Sequence, residues 1–224
     1  MRIDSHHSFS ERQPLEYLGT ILKRNRFEGS VLVADAPGAP EWVFPEFVHG
    51  VVVRADLRDP QFPYLLDGYQ RDPRFRGVCY HFKGGLPDGL AELERRGIPL
   101  DAVGVLSLIP SIVERFPSLR IVIDHLGAGN LPADYWARDL AQAAQSPQVF
   151  CKLSGVARVP RTYVRHALAV FGSSRLMFGS DWPDCLPDTT WKASLAAFTQ
   201  AIGAQTFEVR EELLGGTAER FYGL

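Results

Sequence analysis

Much of what would send this chain to a membrane, a nucleic acid or an oxidising compartment is missing from its 224 residues. No apolar stretch approaches the roughly 20 residues of a membrane span. Arg2, Asp4 and His6 put polar groups where a secretory signal would need apolar ones. The formal net charge is only -2, which gives neither nucleic acid nor an anionic membrane an electrostatic hold. Cysteine is scarce, with Cys79, Cys151 and Cys185 and no CxxC spacing. An odd, scattered set argues against a disulfide framework and for free thiols in a reducing, cytoplasmic setting. Cys151 lies in an apolar run and reads as a small core residue. Cys185, close behind Asp181, reads as packing in the same way. There is no internal repeat, low-complexity tract or linker, so residues 1–224 are expected to form a single domain. The first apolar run is followed by His6-His7-Ser8-Phe9 rather than by the glycine-rich phosphate loop of a doubly wound dinucleotide fold. Ser154 stands outside any nucleophile-elbow context.

What is present is a rhythm of short apolar runs. The composition is 46% hydrophobic and 22% charged, enough for a full core in a domain of this size. Eight runs read as strands: Met1–Ile3, Ser30–Ala34, Gly50–Arg54, Gly77–Tyr80, Leu100–Val105, Arg120–Asp124, Val149–Leu153 and Arg175–Phe178. They are continuous rather than alternating, as strands covered on both faces should be. Helical spacing fills most gaps. One helix opens at Pro14, carries Leu15, Leu18, Ile21 and Leu22 on one face, and closes by Gly29. Others are expected over Asp88–Arg96, Ser107–Phe116, Pro132–Ala144, Pro160–Phe171 and Thr189–Ile202, and a last helical region over Thr206–Phe221 with Thr217 as a cap. Between the second and third strands only Glu41–Val48 could be helical, and Pro45 interrupts it, so that outer helix is stunted. Strand and helix in alternation predict an α/β fold, a compact (β/α)8 TIM barrel with shortened connections after strands 2 and 7. An open doubly wound sheet is the alternative.

In such a barrel, chemistry sits at the carboxyl ends of the strands. The polar groups there are Asp4, His6, His7 and Ser8, then Cys79, Tyr80 and His81, then Asp124 and His125, then Lys152 and Ser154, and finally Asp181. Asp181 ends the apolar run Leu176-Met177-Phe178 through Gly179-Ser180 and is the candidate general base or water-bridging ligand. His125 precedes Gly127 and Gly129, which free the backbone as at a loop crossing a pocket. An imidazole there can ligate a metal or bind a carbonyl at neutral pH. His6 is the third candidate. His7 should point the other way, since side chains alternate along a strand. Lys152 and His81 are candidate substrate-binding residues, Lys152 being equally suited to a salt bridge at the barrel end. His49 and His166 read as structural.

At these residues the chain resembles the amidohydrolase-related (amidohydrolase 2) family of barrel hydrolases, in the lactonase branch of the pyrone-dicarboxylate lactonases and fuconolactonases. Ile3-Asp4-Ser5-His6 is similar to the family's opening Asp-x-His-x-His strand, and Asp72-Pro-Arg-Phe-Arg-Gly-Val78 to its fourth-strand entry. Phe116–Gly127 and Cys151-Lys-Leu-Ser-Gly155 resemble its sixth and seventh strands. Arg175–Pro183 resembles its eighth, and Gly215–Gly223 its usual ending. The resemblance implies a hydrolase acting on a small, anionic, carboxylated lactone or related ring. Asp181 would activate water, and His6 and His125 would polarise the carbonyl directly or through one divalent metal, zinc or manganese. His6, His125 and Asp181 would be the ligands of such an ion; a metal-free site is the other possibility. Two positions depart from the family pattern. The second histidine of the opening motif falls at Ser8, which would face the site as a lesser, substrate-binding donor, and an arginine of the fourth strand falls at Cys79. A metal-dependent decarboxylase or amide hydrolase on the same fold, and a non-catalytic binding barrel, are the competing readings. A homo-oligomer that completes an open, shallow mouth is also compatible.

Overall fold

The computed structural model describes residues 1–9, 12–35, 44–104, 106–129, 131–186 and 188–224. Eight parallel strands follow one another around a barrel: β1 (Ile3–His7), β2 (Gly29–Asp35), β3 (Val48–Arg54), β4 (Phe75–His81), β5 (Leu100–Val103), β6 (Ile121–Ile123), β7 (Val149–Leu153) and β8 (Leu176–Phe178). Every sequential pair is hydrogen-bonded in parallel. Closure is made just beyond β8, where His7 bridges Trp182 in parallel. There the Ser8 N–H donates to the Trp182 carbonyl at 2.7 Å and the Asp181 N–H to the His6 carbonyl at 3.0 Å.

The outer layer is α1 (Leu15–Arg24), α2 (Phe62–Tyr69), α3 (Gly89–Arg96), α4 (Ile109–Arg115), α5 (Ala133–Ala143), α6 (Arg161–Phe171), α7 (Trp191–Ile202), α8 (Phe207–Glu211) and α9 (Thr217–Tyr222). Each long helix lays an apolar stripe on the sheet, as Leu15, Leu18 and Leu22 of α1 do. The (β/α)8 expectation holds, with several local differences. β1 runs four residues further than its apolar start suggested, because its polar side chains find partners: Ser5 donates to the Phe178 carbonyl at 2.7 Å, and His7 Nε2 lies 2.9 Å from Ser30 Oγ. α1 stops at Arg24, and Gly29 opens β2 instead. α2 was not anticipated, although Phe62, Leu65, Leu66 and Tyr69 have helical spacing and Pro63 sits in its first turn. No helix forms over 44–47, and the rest of the proline-broken connection lies outside the described residues, as does Val105 at the expected end of the fifth strand. Among the described residues no helix is long and apolar enough to cross a membrane.

Two apolar clusters result. The larger lies between sheet and helices. The smaller fills the barrel: Ile3, Val31, Val33, Val52, Val122 and Met177 pack with Phe221 and Tyr222 of α9, which plugs the end opposite the carboxyl ends of the strands. The expected last helix over Thr206–Phe221 is broken to allow this. Thr206, not Thr217, supplies the side-chain cap, accepting from the Val209 N–H, and a π-turn at Glu212–Gly216 separates α8 from α9. Gly215 sits in that turn against the start of β1. A Cβ there would lie 2.0 Å from the Met1 carbonyl oxygen and 2.9 Å from Arg2 Cα. Gly215→Ala is therefore expected to destabilise the fold by about 2–3 kcal/mol through overpacking against backbone. An unchanged urea-denaturation midpoint would contradict this account of the plug.

Candidate active site

The site begins with an irregularity in β1. Asp4 pairs with Ser30 and His7 with Leu32, so β1 carries one more residue than β2 over this stretch. Such bulges re-aim side chains. Ile3 faces the barrel interior, while Asp4 reaches outward to accept Trp191 Nε1–H at 2.8 Å and the Ser180 N–H at 2.8 Å. Strict alternation would turn His6 out with Asp4. The bulge turns it into the mouth and leaves His7 pointing away, held by Ser30. Gly179 makes this possible from the other side, since a Cβ there would come within 2.6 Å of His6 Cβ.

His125 follows β6 on a turn in which His125, Leu126 and Gly127 all have left-handed backbone, with φ of 53°, 61° and 58°. Two consecutive non-glycine residues in that region store strain that the surroundings must hold. Trp136 does so by donating Nε1–H to the Leu126 carbonyl at 2.9 Å, while stacked on Tyr163 at 3.8 Å. Ser154, at the end of β7, lies 2.9 Å from His125 Nδ1 and accepts the His125 N–H at 3.3 Å. Asp181 also has positive φ, 62°. Its Oδ2 accepts from Arg158 at 2.7 Å, and Arg158 in turn reaches the Asp184 carbonyl at 2.8 Å and Asp188 at 3.2 Å. That leaves Asp181 Oδ1 toward the imidazoles, 3.9 Å from His6 Nε2 and 3.8 Å from His125 Nδ1. The two rings meet edge-on at 4.6 Å. Burial raises the Asp181 pKa, and His125 and Arg158 restrain the rise.

Beneath His6 lies a buried ionic column. The Lys152 ammonium, with its side chain fully buried, sits 2.5 Å from Asp101 Oδ2, 3.1 Å from Asp124 Oδ1 and 3.1 Å from His6 Nδ1. Tyr222 of α9 donates its hydroxyl to Asp101 at 2.9 Å. Burial disfavours the ammonium, but Asp101 and Asp124 hold its pKa above the ordinary lysine value. Burial also opposes the Asp124 charge, and Lys152 and His6 still hold that carboxyl below the usual range. Burial drives the His6 pKa down to about 3, with Asp124 opposing and Lys152 adding to the shift. His6 is therefore neutral at pH 7. Because an ammonium can only donate, its contact with Nδ1 places the His6 proton on Nε2, facing Asp181.

The structure thus gathers His6, His125 and Asp181 and separates the other candidates. Lys152, for which a substrate contact and a salt bridge were equally suited, makes the salt bridge: its ammonium is committed to Asp101 and Asp124 in the column. Ser8 donates to the exposed Asp184 carboxylate at 3.0 Å, on the rim. His81 is exposed at the end of β4 and lines a neighbouring cleft. Cys151 is core, and His166 bonds the Ala137 carbonyl. Arg158 escaped the sequence reading, and its only signal is a basic residue shortly after β7. Among the described residues two groups could hold a cation by donor count: His6, His125 and Asp181, and His6, Asp101 and Asp124, each with ligand atoms within 4.8 Å of one another. The second does not fit an ion, because the Lys152 ammonium already lies among its donors. The first does fit: two imidazoles and a carboxylate are a zinc-type donor set that leaves a position for water, and ligation through His6 Nε2 would move the ring proton to Nδ1, which lies 3.6 Å from Asp124 Oδ1.

The profile of the Amidohydrolase family matches residues 67–224. An L-fucono-1,5-lactonase of Burkholderia multivorans is 33% identical over 288 aligned positions, covering 100% of this chain and 96% of that protein. The alignment is longer than the chain, so that relative carries segments with no counterpart here. An L-fucono-1,5-lactonase of Burkholderia ambifaria is 28% identical over 199 residues, covering 74% of this chain and 68% of the relative. The crystal structure of an amidohydrolase from Burkholderia multivorans with bound zinc superposes with a TM-score of 0.83 at 23% identity, covering 100% of this chain and 99% of that one. The chain belongs to the Amidohydrolase family and is a barrel hydrolase.

Lys152→Met would leave two carboxylates buried without their counter-charge. It is expected to cost about 3–5 kcal/mol, seen as a lower denaturant midpoint. A loss below 1 kcal/mol, with His6 unmoved, would mean that the column does not support the site.

Proposed function

We propose that this chain opens a small, anionic lactone by hydrolysis, with Asp181 as general base. The observation that carries the reading is the convergence of His6, His125 and Asp181, within 4.8 Å of one another at the carboxyl end of the barrel. The Asp181 Oδ1 atom, held by the Arg158 contact to its other oxygen, takes a proton from water as the water oxygen bonds to the ring carbonyl carbon. The raised Asp181 pKa suits that role, since a base works best when its pKa approaches the working pH. The Nε2–H of neutral His6 donates to the carbonyl oxygen as charge builds on it, and His125 closes the other side. The ring C–O bond then breaks, and its oxygen takes the proton back from Asp181 to give a hydroxy acid.

The same three residues would hold a zinc or manganese ion, which when bound supplies Lewis-acid polarisation of the carbonyl and a more acidic water. Arg158 orients Asp181 and does not touch the reacting atoms. Ser8 stays on the rim as a lesser polar contact.

Two measurements test this. Asp181→Asn should lower lactone hydrolysis by about a thousandfold while leaving the fold intact, and a loss of less than tenfold would refute the base assignment. Protein purified without chelators should contain about one equivalent of zinc or manganese by elemental analysis, falling to background in His125→Ala. Metal content that is unchanged in His125→Ala would exclude these residues as its ligands.

A further inference from the structure

His6 stands between two groups that make opposite demands on its ring. The Lys152 ammonium lies 3.1 Å from Nδ1 and can only donate, so it holds that nitrogen as an acceptor and keeps the proton on Nε2. The Asp124 carboxylate places Oδ1 3.6 Å from the same Nδ1 and can only accept, so it favours a proton there. Asp124 Oδ1 is buried, and among the described residues it receives no hydrogen bond. The ammonium stands 3.1 Å from it as an ion pair, but the hydrogen bonds of Lys152 go to Asp101 and His6. The other oxygen, Oδ2, faces the Cys79 thiol at 4.0 Å. An unfilled acceptor therefore sits beside the one His6 nitrogen that carries no proton.

The ring can satisfy either neighbour without any change of charge. With its proton on Nε2, His6 donates into the mouth and accepts from Lys152. With its proton on Nδ1, it donates to Asp124 and turns a bare Nε2 lone pair toward Asp181 Oδ1, 3.9 Å away. Two acceptors then face each other, an arrangement that a cation between them would relieve. The exchange releases one proton from Nε2 to solvent and takes one up at Nδ1. The imidazole stays neutral, Lys152 stays an ammonium and Asp124 a carboxylate. The ammonium N–H that loses Nδ1 has Asp124 Oδ1 at 3.1 Å to turn to. Only the first state can donate to a carbonyl, and only the second can ligate through Nε2. An acceptor at the far nitrogen is what holds a ligating histidine in the required tautomer.

We propose that His6 is a two-position switch set by Lys152 and Asp124: Lys152 holds the ring as a donor while the centre is empty, and Asp124 holds it as a ligand when a divalent cation enters. Donation by His6 to a carbonyl and ligation by His6 are then exclusive states of one ring. The proposal rests on the reading of His6, His125 and Asp181 as a cation centre, and not on the lactone. Lys152 and Asp124 are positioning residues with opposite effects: the first lowers the affinity of the centre for a cation and the second raises it.

The test uses the whole protein, with zinc as the probe and no substrate. Long-range proton–nitrogen spectra of protein isotope-labelled at histidine report which ring nitrogen carries the proton, and the His6 signals are those lost in His6→Gln. His6 should be protonated on Nε2 before zinc is added and on Nδ1 in the zinc-loaded protein. Zinc affinity is read by competition with a chromophoric chelator. Asp124→Asn should weaken zinc by about tenfold to a hundredfold. Lys152→Met combined with Asp101→Asn removes the ammonium and one carboxylate together, so the column keeps its net charge. That protein should bind zinc about tenfold more tightly than the wild type. Damage to the fold would weaken zinc in both, so the opposite signs separate the switch from a structural loss; if either variant does not fold, the wild-type spectra decide. A His6 proton on the same nitrogen with and without zinc overturns the switch, as does weaker binding in both variants. Zinc that is lost in His125→Ala but leaves the His6 proton on Nε2 removes the switch and keeps the cation centre. Zinc that does not bind the wild type, or binds His125→Ala equally well, removes both.

Discussion

The Lys152 ammonium, buried among Asp101, Asp124 and His6, is the constraint on which the rest of the site is built. A charge taken out of water costs several kcal/mol unless it is paired, so none of these groups can move without stranding another. The column fixes the His6 ring from below and assigns its proton to the nitrogen that faces the mouth. It fills the second cation-type donor group with a covalently attached charge. It also carries the plug into the chemistry, since Tyr222 of α9 anchors Asp101 from the opposite end of the barrel.

The arrangement of His6, His125 and Asp181 above that column is a product of barrel closure. β1 and the segment after β8 have to come within backbone hydrogen-bond distance, and Gly179 permits the approach. Asp4 locks it by accepting from Ser180 and Trp191 at once, and Trp191 packs edge-on against Phe27 at 5.1 Å. The bulge between Asp4 and His7 then aims one histidine at Asp181 and the next at Ser30. Strain at His125, Leu126 and Asp181 is confined to the two turns that present functional groups, each pinned by a neighbour: Trp136 for the first, Arg158 for the second.

The barrel was legible because strands buried on both faces announce themselves as apolar runs, and seven of the eight were located closely. The first was placed too early for a physical reason. Asp4, Ser5, His6 and His7 look like a loop until their partners are known, and most of those come from the far end of the chain. α2 was overlooked although its apolar spacing was readable. His6, His125 and Asp181 could be chosen because each follows or ends a strand beside residues that loosen the backbone. For Lys152 a lone charge in an apolar run suited a substrate contact and a salt bridge equally, and only the fold supplies Asp101 and Asp124 as its partners. Arg158 had no periodicity or motif to mark it.

The plug has a bearing on how the molecule is made. The residues that seal the barrel and anchor the ionic column emerge from the ribosome after all eight strands. Without Tyr222 the Asp101 carboxylate, and the lysine paired with it beneath His6, would lie open to water from below, so a helix at the far end of the barrel governs the polarity around that histidine.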